Sequence, residues 1–227
     1  FLSLSLSFIH SFFLSFYFSL FLCVYYSRKV LTLSLSLSFS LSCFFYLSPS
    51  GTLPSARFEH TAILYDTNKM VIFGGSDGGY KNDVWSLDLS SNAWTQITPS
   101  GTSPPARFGS TAILYATNKM VIFGGWSGSG TKYNDVWSLD HSSNAWTKIT
   151  ASGTSPSARY GPTAVLSDTN KLVIIGGYYN GACKNDVWSL DLPRNAWMQI
   201  TASGTPPSAR YGPTAILYAT NKMVIFG

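Results

Sequence analysis

Charge is scarce in this sequence. Only 11% of its 227 residues are Asp, Glu, Lys or Arg, about half the usual quarter of a soluble domain. A single glutamate, Glu59, is present. The formal charge of +5 is spread too thinly for a nucleic-acid footprint, because phosphate recognition needs clustered Lys and Arg. Three cysteines, Cys23, Cys43 and Cys183, cannot build a disulfide framework, which excludes a small stapled secreted domain. No Asn-x-Ser/Thr sequon supports secretion either. These absences lean towards the cytoplasm. No stretch carries the 3.6-residue apolar stripe of a long helix. An initiator Met is missing too, so the expectation is a fragment of a longer reading frame.

What is there divides into two unlike segments. Residues 1–47 are low complexity: thirty-four are Leu, Ser or Phe, and Arg28 and Lys29 are the only formal charges. Residues 8–26 form an uncharged run of nineteen, long enough to span a bilayer as a helix. Yet Leu-Ser alternation has the two-residue period of a strand, and no small-residue cleavage site marks a signal peptide. Pyrimidine-only codons encode this composition, so it reads better as translated repeat DNA than as an anchor. Membrane association follows only if the segment is a genuine anchor. All ten acids and thirteen basic residues lie in 48–227.

That second segment repeats itself. Arg57, Arg107, Arg159 and Arg210 are 50, 52 and 51 residues apart. Gly74-Gly75, Gly124-Gly125 and Gly176-Gly177 follow the first three. Trp85, Trp137 and Trp188 recur within Asn-Asp-Val-Trp-Ser-Leu-Asp, and Trp94, Trp146 and Trp197 within Asn-Ala-Trp. Each unit reads as four short strands: in the first, a over 61–65, b over 70–73, c over 84–89 and d over 93–98. The turn at Thr67-Asn68-Lys69 joins a to b, Asn supplying a left-handed residue. A four-stranded sheet of this size cannot bury both faces alone, and stacking sheets radially through their Trp faces solves that.

The series of Arg, Gly-Gly, Asn-Asp-Val-Trp and Asn-Ala-Trp resembles the kelch repeat, over about 178 residues. The Asn-Asp-Val-Trp-x-Leu-Asp phrase is most similar to the subgroup found in cell-polarity markers, Rab effectors and host cell factor. The resemblance implies an all-β fold, a partial kelch-type β-propeller. It has three complete four-stranded blades (57–106, 107–158, 159–209) and half a fourth (210–227).

Comparing the units with one another separates scaffold from surface. The glycine pair predicts a positive φ or a close backbone approach. The six in-register tryptophans predict packing between blades, and the Asn-Asp pairs predict capping of backbone amides. The b–c loops alone vary, with six, eight and seven residues between Gly-Gly and Asn-Asp. Variation confined to one place on a rigid scaffold marks a recognition surface. Its candidate contacts are Tyr80 and Lys81, Trp126, Lys132 and Tyr133, and Tyr178, Tyr179 and Asn180. Trp126 is the one tryptophan outside the repeat register, in a Gly/Ser-rich loop where core packing is not expected. In an antiparallel meander the d–a and b–c loops share one end, so Arg57, Arg107, Arg159 and Arg210 belong to it. With strand a innermost, they would ring the channel mouth and grip carboxylates. In several kelch proteins an arginine at this position contacts an acidic peptide.

The expectation is therefore a non-catalytic scaffold that binds a protein partner, with an extended acidic segment as its ligand and no cofactor. The alternative is the propeller domain of a kelch-containing enzyme, a galactose-oxidase-like copper oxidase, whose ligands lie in sequence missing from this fragment. That chemistry needs two His and two Tyr ligands. His60 and His141, the only histidines in the repeats, fall at opposite ends of different units. Gly-x-Ser-x-Gly is absent, and Gly125 to Gly130 joins strands where a phosphate loop must open a helix.

Overall fold

A computed structural model describes residues 49–167, 170–218 and 222–227. The Leu/Ser/Phe tract, and with it the anchor reading, lies outside the described residues. Every regular element among them is a strand: β1 (Ser50–Gly51), β2 (Thr61–Tyr65), β3 (Lys69–Phe73), β4 (Val84–Asp88), β5 (Ala93–Ile97), β6 (Thr111–Tyr115), β7 (Lys119–Phe123), β8 (Val136–Asp140), β9 (Ala145–Ile149), β10 (Tyr160–Leu166), β11 (Lys171–Tyr179), β12 (Ala182–Cys183), β13 (Val187–Asp191), β14 (Ala196–Ile200), β15 (Thr214–Leu217) and β16 (Met223–Phe226). The three complete units fold as antiparallel meanders, β2-β3-β4-β5, β6-β7-β8-β9 and β10-β11-β13-β14, and β15 pairs with β16. Strand c ends one residue earlier than its apolar run suggested. Leu89 therefore leaves the sheet and is exposed, while its counterpart Leu192 is buried.

Alternation along the strands divides each sheet into two apolar faces. Ile63, Val71, Phe73 and Val84 of the first sheet pack against Met120, Ile122, Trp137, Leu139 and Trp146 of the second. The pattern repeats one unit on: Ile113, Val121, Phe123 and Val136 meet Leu172, Ile174, Trp188, Leu190 and Trp197. The Phe73 and Trp146 rings meet edge to face at 5.2 Å, and Phe123 and Trp197 at 5.5 Å. Such core side chains contribute about 1.5–3 kcal/mol each by burial. Trp146 and Trp197 are buried as expected, whereas Trp94 is half-buried.

The a strands of successive units are neighbours at the axis. A backbone ladder links the residues at or just before their starts: Gly109 N–H donates to Glu59 O at 2.9 Å, Gly161 to Gly109 at 2.7 Å and Gly212 to Gly161 at 2.9 Å. At the outer edge lies a feature the strand pattern did not show. The Ser-Gly pair of each connector runs parallel to strand d of the following unit, pairing Ser50 with Ala93, Ser100 with Ala145 and Ser152 with Ala196. This covers part of an edge that would otherwise offer unpaired backbone groups. The glycines make it fit. A Cβ on Gly51, Gly101 or Gly153 would stand 2.4, 2.9 or 2.7 Å from the carbonyl oxygen of Trp94, Trp146 or Trp197. The turns depart from expectation in one detail. In the first a–b turn Asp66, at φ 55°, takes the left-handed conformation assigned to Asn68, and Asn68 instead hydrogen-bonds the Ser90 hydroxyl.

Gly153 and Gly204 have φ of 80° and 82°, but only Gly153 has backbone within reach of an added Cβ. Gly153→Ala is expected to destabilise by about 3 kcal/mol, combining left-handed backbone with overpacking. Gly204→Ala should lose only about 1 kcal/mol. Urea unfolding midpoints of the two variants check the difference, and equal shifts would remove the steric role of the connector.

Candidate partner-binding face

The repeated arginines are built into the scaffold. Arg107 and Arg159 are fully buried, and the Arg57 side chain is 3% exposed. The two terminal nitrogens of each grip one carboxylate: Arg57 on Asp83 at 2.6 and 3.0 Å, Arg107 on Asp135 at 2.6 and 3.1 Å, Arg159 on Asp186 at 2.6 and 2.8 Å. The same Nη1 also donates to the first glycine of its own unit's pair, Gly74, Gly124 or Gly176, at 2.9–3.1 Å. The backbone of each later arginine docks on the unit before. Arg107 N–H donates to Lys81 O, and its carbonyl accepts from Gly75 N–H, both at 2.9 Å. Arg159 does the same with Tyr133 and Gly125, and Arg210 with Lys184 and Gly177. A Cβ on Gly74 or Gly124 would sit 2.7 Å from the docked arginine carbonyl, and both glycines have positive φ. The glycine pair thus meets both demands read from it.

Two expectations are corrected here. Arg57, Arg107 and Arg159 do not present free guanidinium groups to a ligand, because bidentate aspartates and internal carbonyls hold them. Arg210 is half-buried with no carboxylate partner among the described residues, and it donates instead to Ser208 and Gly227. The aspartates of Asn-Asp likewise serve side chains rather than loop amides. Beyond the arginine, each accepts the indole N–H of Trp85, Trp137 or Trp188 at 2.7 Å. Burial pushes these carboxyls up, but the hydrogen bonds from arginine and tryptophan and the guanidinium charge outweigh it. Asp83, Asp135 and Asp186 end below the ordinary carboxylate range.

The b–c and d–a loops do share one end, joined by antiparallel bridges Phe58–Ser76, Phe108–Trp126 and Lys184–Arg210. What fills that end is aromatic. Each arginine is followed by an aromatic residue, and these rings line up across the units. Phe58 to Phe108 is 6.2 Å, Phe108 to Tyr160 is 5.9 Å and Tyr160 to Tyr211 is 5.3 Å between centroids. Loop residues fit between them. Tyr80 stacks on Phe108 at 5.4 Å, Trp126 lies 5.3 Å from both Phe108 and Tyr160, and Tyr178 is 5.6 Å from Tyr160. Trp126 is therefore a half-buried wedge in a shared row rather than a free loop side chain. The Arg-aromatic pair was in the sequence four times, and it is the signal that finds this row.

The other candidates divide by role. Tyr133 stacks under the Arg107 guanidinium at 4.0 Å, and Lys81 pairs with Asp77 at 2.8 Å. Asn180, exposed at φ 48°, forms with Gly181 the two-residue turn of the β11–β12 hairpin that carries Tyr178 and Tyr179. Lys132 and Lys184 lie over the Trp126 and Tyr179 rings at 5.4 and 5.9 Å. Neither lysine has a carboxylate partner among the described residues.

The family model described as the KLHDC2/KLHL20/DRC7 Kelch-repeats domain matches residues 34–227. The chain belongs to the kelch-repeat family. Among curated proteins it is similar to tip elongation aberrant protein 1 of Schizosaccharomyces pombe, 33% identical over 189 residues, which is 78% of this chain and 16% of that protein. Acyl-CoA-binding domain-containing protein 6 of rice is 32% identical over 196 residues, 80% of this chain and 29% of that protein. The Rab9 effector protein with kelch motifs of Xenopus laevis is 27% identical over 198 residues, 81% of this chain and 53% of that protein. The chain thus spans from about a sixth to about half of these relatives. Kelch-repeat relatives support a protein-interaction module in general.

At the opposite end of the sheets, His141 stands where the other units have Leu89 and Leu192, stacked on Tyr65 of the first unit at 4.3 Å. Its Nε2 is buried without a hydrogen-bond partner among the described residues. Burial holds His141 below the ordinary imidazole range, with Asp140 opposing weakly, and burial followed by the Arg57 charge lowers His60. A depressed folded-state pKa means the stabilisation is complete above the ordinary histidine value and falls as pH drops through the folded value. The thermal midpoint should therefore decline between about pH 7 and pH 5. In His141→Leu the decline should shrink, leaving the part due to His60. An identical decline in both proteins would contradict this assignment.

Proposed function

We propose that this chain is a non-catalytic protein-interaction module whose partner, an extended acidic segment of another protein, lies across the end formed by the b–c and d–a loops. The observation that carries this reading is the aromatic row. Phe58, Tyr80 and Tyr211 are 60%, 42% and 41% exposed, and they continue the rings of Phe108, Trp126, Tyr160 and Tyr178 across four units. Rigid aromatic area of this kind carries much of the energy in protein interfaces. The rim supplies charge. Lys132 and Lys184 are held over aromatic faces and have no carboxylate partner among the described residues, so they favour acidic side chains and steer their approach. The buried arginines contribute shape here and not direct recognition, which moves the basic character of the face from the repeated residues to the variable loops. Nothing observed favours the alternative of a copper-oxidase domain.

Selection of a random peptide library on the folded protein tests this, with acidic sequences the expected winners. Enriched peptides should bind at least tenfold more weakly to Trp126→Ala and to the Lys132→Glu/Lys184→Glu double variant. They should bind equally to Lys148→Glu, which alters an outer strand. A selection without acidic bias, or binding that survives both sets of changes, would contradict the proposal.

A further inference from the structure

Glu59 is where the units break their own rule at the axis. The residue two places after the arginine is Gly109, Gly161 or Gly212 in the later units, at φ 64°, 64° and 63°. Glu59 holds the same left-handed backbone, at φ 51°, while carrying a side chain, which costs about 1–2 kcal/mol. Glycine would serve the ladder as well, since only the Glu59 carbonyl takes part in it. A strained residue that the scaffold does not require points to a function.

The carboxylate reaches from the first unit to the fourth. Oε1 accepts the Tyr211 hydroxyl from the fourth unit, and Oε2, lying against Gly109, is buried without a hydrogen-bond partner among the described residues. No Lys, Arg or His pairs with Glu59 among the described residues. The guanidinium groups of Arg57, Arg107 and Arg159 are matched one for one by Asp83, Asp135 and Asp186. Glu59 is thus a carboxylate with no cation of its own among the described residues, while Arg210, Lys132 and Lys184 at the same end are cations with no carboxylate. Its surroundings agree. Burial pushes the Tyr211 phenol up, and the hydrogen bond to Glu59 adds to that. Burial first, then Tyr178 and Glu59, raises Tyr160. Tyr211, which holds the carboxylate, is the last ring of the row Phe58, Phe108, Tyr160 and Tyr211, spaced 5.3–6.2 Å.

We propose that the axial mouth takes an organic cation, the ammonium or guanidinium end of a partner side chain, with Glu59 as its counter-ion and the aromatic row as its wall. A cation over aromatic faces is attracted by the ring quadrupoles. Its N–H groups also supply the donor that Oε2 lacks, and a buried acceptor left unsatisfied is costly. The Tyr211 hydroxyl holds the place of such a donor on Oε1 and yields to it. This deepens the proposed function and rests on it: the partner segment sets acidic groups on Lys132 and Lys184 at the rim and a basic group at the axis.

Ligand-observed saturation-transfer NMR on the full chain tests the site with n-butylammonium, n-butylguanidinium, n-butanol and butyrate as probes. Both cations should receive at least three times the transfer of butanol, and butyrate less than butanol. A preference for one cation assigns the side chain. The cation signal should fall at least fivefold in Glu59→Gln. It should fall equally in Glu59→Gly, which restores the residue of the other units and should fold more stably, and persist in Lys148→Gln. Equal transfer to cations and butanol, or a cation signal that survives removal of the carboxylate, overturns the proposal. If only this site fails, selected acidic peptides still depend on Lys132 and Lys184. If the partner face itself is wrong, that dependence is lost while the small cations still report on Glu59.

Discussion

A guanidinium group buried on a carboxylate organises this chain. Arg107 and Arg159 each join three pieces of structure: the backbone hydrogen-bonds the glycine and loop of the preceding unit, and the side chain closes on the carbonyl and aspartate of its own unit. The aspartate in turn fixes the indole of the c-strand tryptophan. Two charges removed from water are tolerated only with such complete partnering, and here nearly every N–H of the fork has an acceptor. The alignment of the aromatic row, the close docking at Gly-Gly and the positions of the loops all follow from it. Arg210 shows the same backbone docking without an aspartate, and its side chain is correspondingly less enclosed.

Because the arginines of the complete units, the glycine pairs and the in-register tryptophans are occupied in holding units together, the recognition we propose falls to residues that the scaffold does not need. Those are the rings after each arginine, the loop aromatics that fit between them, the rim lysines and Glu59. The separation has a physical basis. A side chain whose donors are all engaged inside the sheet stack cannot rearrange to meet a ligand without leaving an uncompensated charge behind, whereas Lys132 or Lys184 loses only a cation–π contact of about 0.5–1 kcal/mol.

Much of this was legible from the residues. The period, the four strands of each unit, the tryptophan faces, the shared end of the two loop sets and the glycine requirement were all readable, because each depends on local pattern. The pairing of Arg57 with Asp83 was harder. It spans 26 positions, and since both residues recur with the same period, spacing alone does not choose among several partners. A charged residue at a channel rim also reads as exposed, because Arg is almost never fully buried unless paired. The connector latch had a signal in the repeated Ser-Gly-Thr at 50, 100 and 152, but parallel pairing of two residues leaves no alternation to detect. Trp126 looked free for the opposite reason: its partners Phe108 and Tyr160 belong to other loops, and nothing in its own loop indicates them.

The account stands most directly on the Arg107–Asp135 pair, and a double-mutant cycle measures it. Arg107→Met and Asp135→Leu should each destabilise by about 3–5 kcal/mol. The double variant should recover part of that, giving a coupling of about 1–3 kcal/mol, while Arg210→Met should be nearly neutral. Additive losses, or an Arg210 change as damaging as that at Arg107, would contradict the claim that this buried pair holds the repeats in place.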